Sequence, residues 1–331
     1  MSKNVDAAPT ATVAVSTTTK WKKIKTKMWK YRGFYLMFLP VFIFALFFFY
    51  LPMIGIRYAF YDYNGLKEAT FVGIKHFKTM FTDPFKSKDF FNAVLNTVEI
   101  SVFKLLLTTG FAVIVSIFLN EMINIHFKKV IQTIIYLPHF LSWVVTASLF
   151  SLILAPNSHG LINTFLLNIG VIKSADEYIY FLGSSAWWRP IYFLINLWKE
   201  TGWQTVIFMA TLSGINPELY EAASIDGAGR FQKMRYLTFP AIRNTILTVI
   251  ILNLAKIMNL FESVWVLQNN AVIQTSQVLE TYIYNQTFNS GRIPNYGYTA
   301  AVGLFKSLIG MVLVLVCNHW SKKVREGRGI V

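Results

Sequence analysis

The sequence predicts an all-α polytopic membrane protein with six transmembrane helices. Three observations predict it. Of 331 residues, 54% are hydrophobic and only 14% charged, with a mean hydropathy of +0.46; a soluble domain of this size carries more charge to cover its surface. The apolar residues gather into blocks of about 20, each able to cross about 30 Å of hydrocarbon. Lys and Arg sit beside those blocks, where they set orientation in the membrane. The formal net charge of +15 therefore has a topological cause, and a nucleic acid partner is excluded on the same ground.

Residues 1–33 are read as a basic, partly disordered cytoplasmic N-terminus, with 1–19 rich in Thr, Ala and Ser. Residues 20–32, KWKKIKTKMWKYR, interleave lysines with Trp21 and Trp29 and suit an anionic lipid surface. No apolar core of a secretory signal precedes the first span. That span is 34–56, uncharged, with Pro40 and Pro52; an outer loop follows at 57–96. A five-helix core occupies 97–319, with spans near 97–119, 130–154, 190–212, 244–266 and 299–319, and a basic tail at 320–331. Lys128 and Lys129, the cluster Arg230, Lys233, Arg235 and Arg243, and the tail residues Lys322, Lys323, Arg325 and Arg328 mark one side as cytoplasmic. The outer segments 155–189 and 267–298 hold only Lys173, Arg189 and Arg292. The expected topology has both termini in the cytoplasm of a bacterial cell. The single cysteine, Cys317, lies in the last apolar block, which excludes an intrachain disulfide or a cysteine metal site.

The cytoplasmic loop 213–243 carries the most local information. Asn216 is an N-cap residue and Pro217 fits the first helical position. Glu218 and Glu221 favour the positive end of a short helix. Asp226-Gly227 ends it with a left-handed turn. A second basic helical stretch runs through Arg230, Lys233 and Arg235, and Pro240 is expected to break the chain before the fifth span. The expected object is a helix–turn–helix knob whose small Ala222 and Ala223 let a partner approach closely.

Glu221-Ala222-Ala223, then Gly227 after three residues, then Leu237-x-Phe239-Pro240 after nine more, resemble the EAA loop of permease subunits of binding-protein-dependent ABC importers. Leu237 and Phe239 depart from the Ile and Leu of the family pattern and keep its apolar character. Phe71-Val72-Gly73-Ile74, His76-Phe77, Asp83-Pro84 and Asn96-Thr97 look like the start of the family's core. Tyr136-Leu137-Pro138-His139-Phe140-Leu141-Ser142-Trp143, the stretch from Trp198 to Trp203, and Ser276-Gln277-Val278-Leu279-Glu280-Thr281-Tyr282 are similar to its carbohydrate branch, which includes the LplB group. The resemblance implies an ATP-driven importer of an oligosaccharide, working by alternating access. It implies that Glu221, Ala222, Ala223, Asp226, Gly227 and Pro240 belong to the ATPase-coupling loop. It also implies a second, non-identical permease, two ATPase subunits holding ATP and Mg, and an extracytoplasmic solute-binding protein.

Polar residues inside spans are costly and point to function. Asn253, Lys256, Asn259 and Glu262 recur every three residues in the fifth span, and Asn196, Glu200, Trp203 and Gln204 share a face of the fourth. Amides and carboxylates bind sugar hydroxyls, and an indole stacks on a pyranose. The competing interpretation is structural pairing of Lys256 with Glu200 or Glu262. Lys104 and Lys306 are read as snorkelling or pairing locally, and Trp187-Trp188 as an interfacial anchor. The chain has no G-x-x-x-x-G-K-[ST] phosphate loop, no catalytic constellation and no metal-ligand spacing around His139. It is therefore expected to be a transport subunit without catalytic residues, cofactor or metal of its own. Two readings stand beside the main one: the same importer type for a non-sugar solute, and a secondary transporter or channel working without an ATPase.

Overall fold

The computed structural model describes residues 17–254, 256–289 and 293–324. The N-terminal stretch 1–16, Arg292, and Arg325 and Arg328 of the tail lie outside the described residues. The chain divides into two compact units, one ending at Arg57 and one starting at Tyr58.

In the first unit, α1 (Thr17–Lys30) is basic, and α2 (Arg32–Ala45) opens the first apolar span. The helix runs on as a π turn at Leu46–Tyr50 and a 3-10 segment at Leu51–Phe60. Pro52 follows the π turn by two residues. A proline ring clashes with the carbonyl four positions back in an α-helix, and a widened turn just ahead of it relieves that clash. No residue of α2 is buried within the chain.

The second unit takes the last three residues of that 3-10 segment and then a short antiparallel hairpin, β1 (Tyr61–Asp62) and β2 (Thr70–Phe71), pairing Tyr61 with Phe71. Then come α3 (Lys75–Thr82), α4 (Pro84–Asn120), α5 (Ile125–Tyr136), α6 (Trp143–Ile153), α7 (Leu161–Asn168) and α8 (Trp188–Leu212). The chain continues through α9 (Pro217–Ile225), α10 (Arg230–Lys233), α11 (Phe239–Leu254) and α12 (Phe261–Leu267). It ends with α13 (Ile273–Ser276), α14 (Leu279–Tyr284) and α15 (Tyr296–Val324). Asp83 starts α4 by accepting from the N–H groups of Phe85 and Lys86, each at 3.0 Å. The backbone N–H of Lys86 chiefly, with that of Phe85, holds the Asp83 carboxyl below its ordinary pKa.

Helix α4 explains how the unit packs. Its buried face is built of small residues, including Ala93, Thr97, Ser101, Thr108, Ala112 and Ser116. Its exposed face carries Leu95, Val102, Leu106, Phe111 and Phe118. This is the arrangement for lipid: large apolar side chains outward, small ones where helices meet. Helix α8 lies along that small face. Phe208, Met209 and Leu212 join Ala112, Val113 and Leu119 in one core cluster with Ile242 and Val249 of α11. A second cluster joins Ile100 to Trp188, Tyr192 and Ile195 of α8 and Val264 of α12.

Among the described residues, four helical segments are long and apolar enough to cross a membrane: Arg32–Phe60, Pro84–Asn120, Arg230–Leu254 and Tyr296–Trp320. A fifth is obtained if Ile125–Phe140 and Trp143–Ile153 count as one broken span, bent by 103°. The third expected span is thus not one continuous helix. The fifth, expected at 244–266, ends its helix at Leu254 and turns before α12. Pro240 does not break the chain. A π turn at Met234–Thr238 precedes it, and the helix is continuous from Arg230 to Leu254. The second span begins at Pro84, well before 97, inside the expected outer loop. Trp188 is no interfacial anchor: it is fully buried, and its indole N–H donates to the Leu267 carbonyl at 2.9 Å.

Candidate functional site

The knob forms as its residues dictate. The Asn216 side chain accepts from the Glu218 N–H at 3.1 Å, with Pro217 at the first helical position of α9. At the other end Gly227 adopts φ +78°, and the Ala228 N–H returns to the Ala223 carbonyl at 2.9 Å. That backbone closure is favourable with glycine at the left-handed position. Lys233 Nζ donates to Ser224 Oγ at 2.6 Å, and the Tyr220 and Thr238 hydroxyls lie 3.0 Å apart, so the two helical arms are tied together. Glu221, Ala222, Asp226 and Gly227 are exposed, while Ala223 is half-buried. Ile225, 87% exposed, stands bare at the tip with no core to explain it.

A polar cavity of about 230 Å³ opens between α4, α8 and the end of α11. Lys104, Thr108, Glu200, Gln204, Asn253 and Lys256 line it, together with Asn259. Four of the seven path candidates therefore share one wall: Glu200, Asn253, Lys256 and Asn259. They do not lie on a single helical stripe, since α11 stops at Leu254 and Lys256 and Asn259 occupy the following turn. Glu262 sits in the first turn of α12, exposed and outside the cavity lining. Asn196 is fully buried and donates to the Tyr192 carbonyl at 2.7 Å, while its Oδ1 has no partner. Trp203 is exposed and stacks on the His139 ring, with centroids 5.1 Å apart and planes 13° apart.

The competing interpretation, a pairing of Lys256 with Glu200 or Glu262, is not seen among the described residues. Glu200 Oε2 lies 3.5 Å from His139 Nδ1. Lys306 does pair locally: it forms an ion pair with Glu280, whose other oxygen accepts from the N–H groups of Leu260 and Phe261 at 2.8 and 2.6 Å. One carboxylate thus serves both a half-buried ammonium and the start of α12. Lys104, by contrast, does not snorkel away; it faces the cavity.

Sequence reasoning gave Lys199 no role. It is 4% exposed, and its Nζ donates to the carbonyls of His139 and Leu141 at 3.1 and 2.7 Å. These carbonyls are freed by the break between α5 and α6, and a polar group buried without a partner is expensive. An ammonium inside an otherwise apolar span was the available signal.

The family comparison decides what this assembly is. Residues 109–326, more than half of the chain, match the family described as "binding-protein-dependent transport system inner membrane component". The chain belongs to this family. It is an ABC transporter permease, a membrane-embedded transport subunit. The permease is 37% identical over 323 residues to the polygalacturonan/rhamnogalacturonan transport system permease protein YteP of Bacillus subtilis (strain 168), covering 96% of this chain and 97% of that one. It is also 37% identical over 293 residues to protein LplB of the same organism, covering 87% of this chain and 88% of the relative. Its fold matches a permease chain in the crystal structure of a bacterial ABC transporter involved in the import of the acidic polysaccharide alginate. The TM-score is 0.81 and the identity 34%, covering 91% of this chain and 99% of that one. A second crystal structure holds the alginate transporter in complex with an alginate pentasaccharide-bound periplasmic protein; it matches with TM-score 0.81 and 33% identity, covering 92% of this chain and 99% of that one.

Proposed function

We propose that this permease is one half of the membrane path of an ATP-driven oligosaccharide importer, and that α9 with the Gly227 turn is the part its ATPase grips. The observation that carries the reading is the knob. A capped helix exposes Glu221 and Ala222 at its surface and Ile225 at its tip, in a chain similar to carbohydrate permeases over nearly its whole length. Glu221, Ala222, Ala223, Asp226 and Gly227 form the docking contact, and Pro240 lies where the loop passes into α11. Two ATPase subunits hold ATP and Mg and hydrolyse the nucleotide. A solute-binding protein delivers the sugar to the outer side, and a second, non-identical permease closes the path. Both termini face the cytoplasm of a bacterial cell. ATP binding closes the ATPase pair, the knob moves, and the cavity lined by Glu200, Asn253, Lys256 and Asn259 opens outward; hydrolysis resets it. Asn196, Trp203 and Glu262 are assigned to the same substrate path.

The test is Glu221→Lys in the complete importer. ATP-dependent oligosaccharide uptake is expected to disappear and ATPase co-purification to weaken, with membrane insertion intact. Uptake at the parental rate, or uptake by the chain reconstituted without any ATPase, refutes the assignment.

A further inference from the structure

The cavity carries a charge that its own wall does not balance. From this we propose that it takes an anionic saccharide, with carboxylates of the sugar bound by Lys104 and Lys256. The inference rests on the importer reading and adds to it the chemical class of the cargo and the residues that select it.

Lys104 comes from α4 and Lys256 from the turn after α11, yet both line the same cavity. Among the described residues neither takes part in an ion pair. Lys104 Nζ lies 5.9 Å from the Trp143 ring centroid, a contact that leaves its charge uncancelled. Glu200 is the one carboxylate in the lining, and its Oε2 is turned to within 3.5 Å of His139 Nδ1. The nearby Glu280 is taken up by Lys306 and two backbone N–H groups. Two ammonium groups therefore share a single carboxylate. The Lys104 charge, carried within a helix that packs against α8, is expensive unless something compensates it, and such a charge inside a span points to a ligand or a pathway.

The rest of the wall suits a sugar. Gln204 Oε1 is buried without a partner and stands ready to accept from a hydroxyl. Asn253 offers an amide to the same space. A neutral saccharide satisfies these groups but leaves the positive excess standing. A saccharide bearing carboxylates satisfies both, and Coulomb attraction is stronger in a site sheltered from water.

Proteoliposomes holding the whole importer with its binding protein test this with trigalacturonate and its fully methyl-esterified form, which share a sugar chain and differ in charge. The parental importer is expected to show a KM for the acid at least about tenfold below that for the ester. Lys104→Met and Lys256→Met each shrink that ratio, the double variant brings it close to one, and Lys104→Arg with Lys256→Arg keeps it. The binding protein is the same throughout, so a change in the ratio reports on the cavity. Lys256 is exposed in a turn, so Lys256→Met decides the matter if Lys104→Met does not assemble. A parental ratio near one, or an unchanged ratio in the variants, overturns the inference alone. No ATP-dependent uptake of either form brings down the oligosaccharide reading and the inference together.

Discussion

Lys199 donates to the carbonyl oxygen of Leu141 at 2.7 Å, so that a charge on α8 holds the corner where the third span turns by 103°. The corner frees carbonyls that helical bonding would have used, and the ammonium is positioned to take two of them.

Lys199→Met is expected to lower stability by about 2–3 kcal/mol, the scale of charge-assisted hydrogen bonds lost to buried acceptors. Thermal unfolding of the detergent-solubilised protein measures it, and Lys199→Arg is expected to fall between the two.

At Gly202, α8 packs directly against the backbone of α5. A Cβ there meets the Ile135 carbonyl oxygen at 2.3 Å and the Tyr136 Cα at 2.7 Å. Gly202→Ala therefore forces the helices apart, at about 1–3 kcal/mol. Gly110, also helical, has nothing within 4 Å of its Cβ position. Gly110→Ala is expected to be neutral or to stabilise by up to about 1 kcal/mol. The opposite signs are the result to look for in melting temperatures.

Gly227 has open space around it but φ +78°. Gly227→Val meets backbone strain of about 1–2 kcal/mol, released by distorting the turn. Substrate-stimulated ATP hydrolysis is expected to fall in the intact importer while insertion is unaffected. Gly227→Asn is expected to retain more, because Asn tolerates the left-handed region.

Glu280→Gln leaves Lys306 without its counter-charge and weakens the start of α12. Both side chains are partly shielded, at 19% and 17% exposure, and about 2 kcal/mol is expected for the single change. Combining it with Lys306→Met is expected to be milder than the sum of the single effects, in a double-mutant cycle read by thermal unfolding.

The helices and the knob were legible because their causes are local. Hydropathy blocks mark apolar segments, and Asn216, Pro217 and Gly227 act on backbone within a few residues of themselves. The corner after Phe140 was not legible, since Leu141-Ser142 lies amid apolar residues and the hydropathy of the region runs straight through it. What stabilises the corner is Lys199, 58 positions after Leu141. The same distance problem hid the start of α12, held by Glu280 from 20 and 19 residues away. Pro240 was misread for a different reason. The rule that proline interrupts a helix presumes α geometry ahead of it, and the turn at Met234–Thr238 is wider. The cavity was half legible: Glu200, Asn253, Lys256 and Asn259 stood out as polar residues in apolar company. The helix that would have put three of them in a line stops at Leu254.

The uninterrupted helix through Pro240 has a mechanical consequence. Its 25 residues reach from Arg230, in the second arm of the knob, to the neighbourhood of Asn253 on the cavity wall, about 37 Å at helical rise. A hinge at the proline would have let a shove at one end dissipate as local bending. Without one, the proposed coupling has a single helical segment to act through, a connecting rod between the knob and the cavity wall.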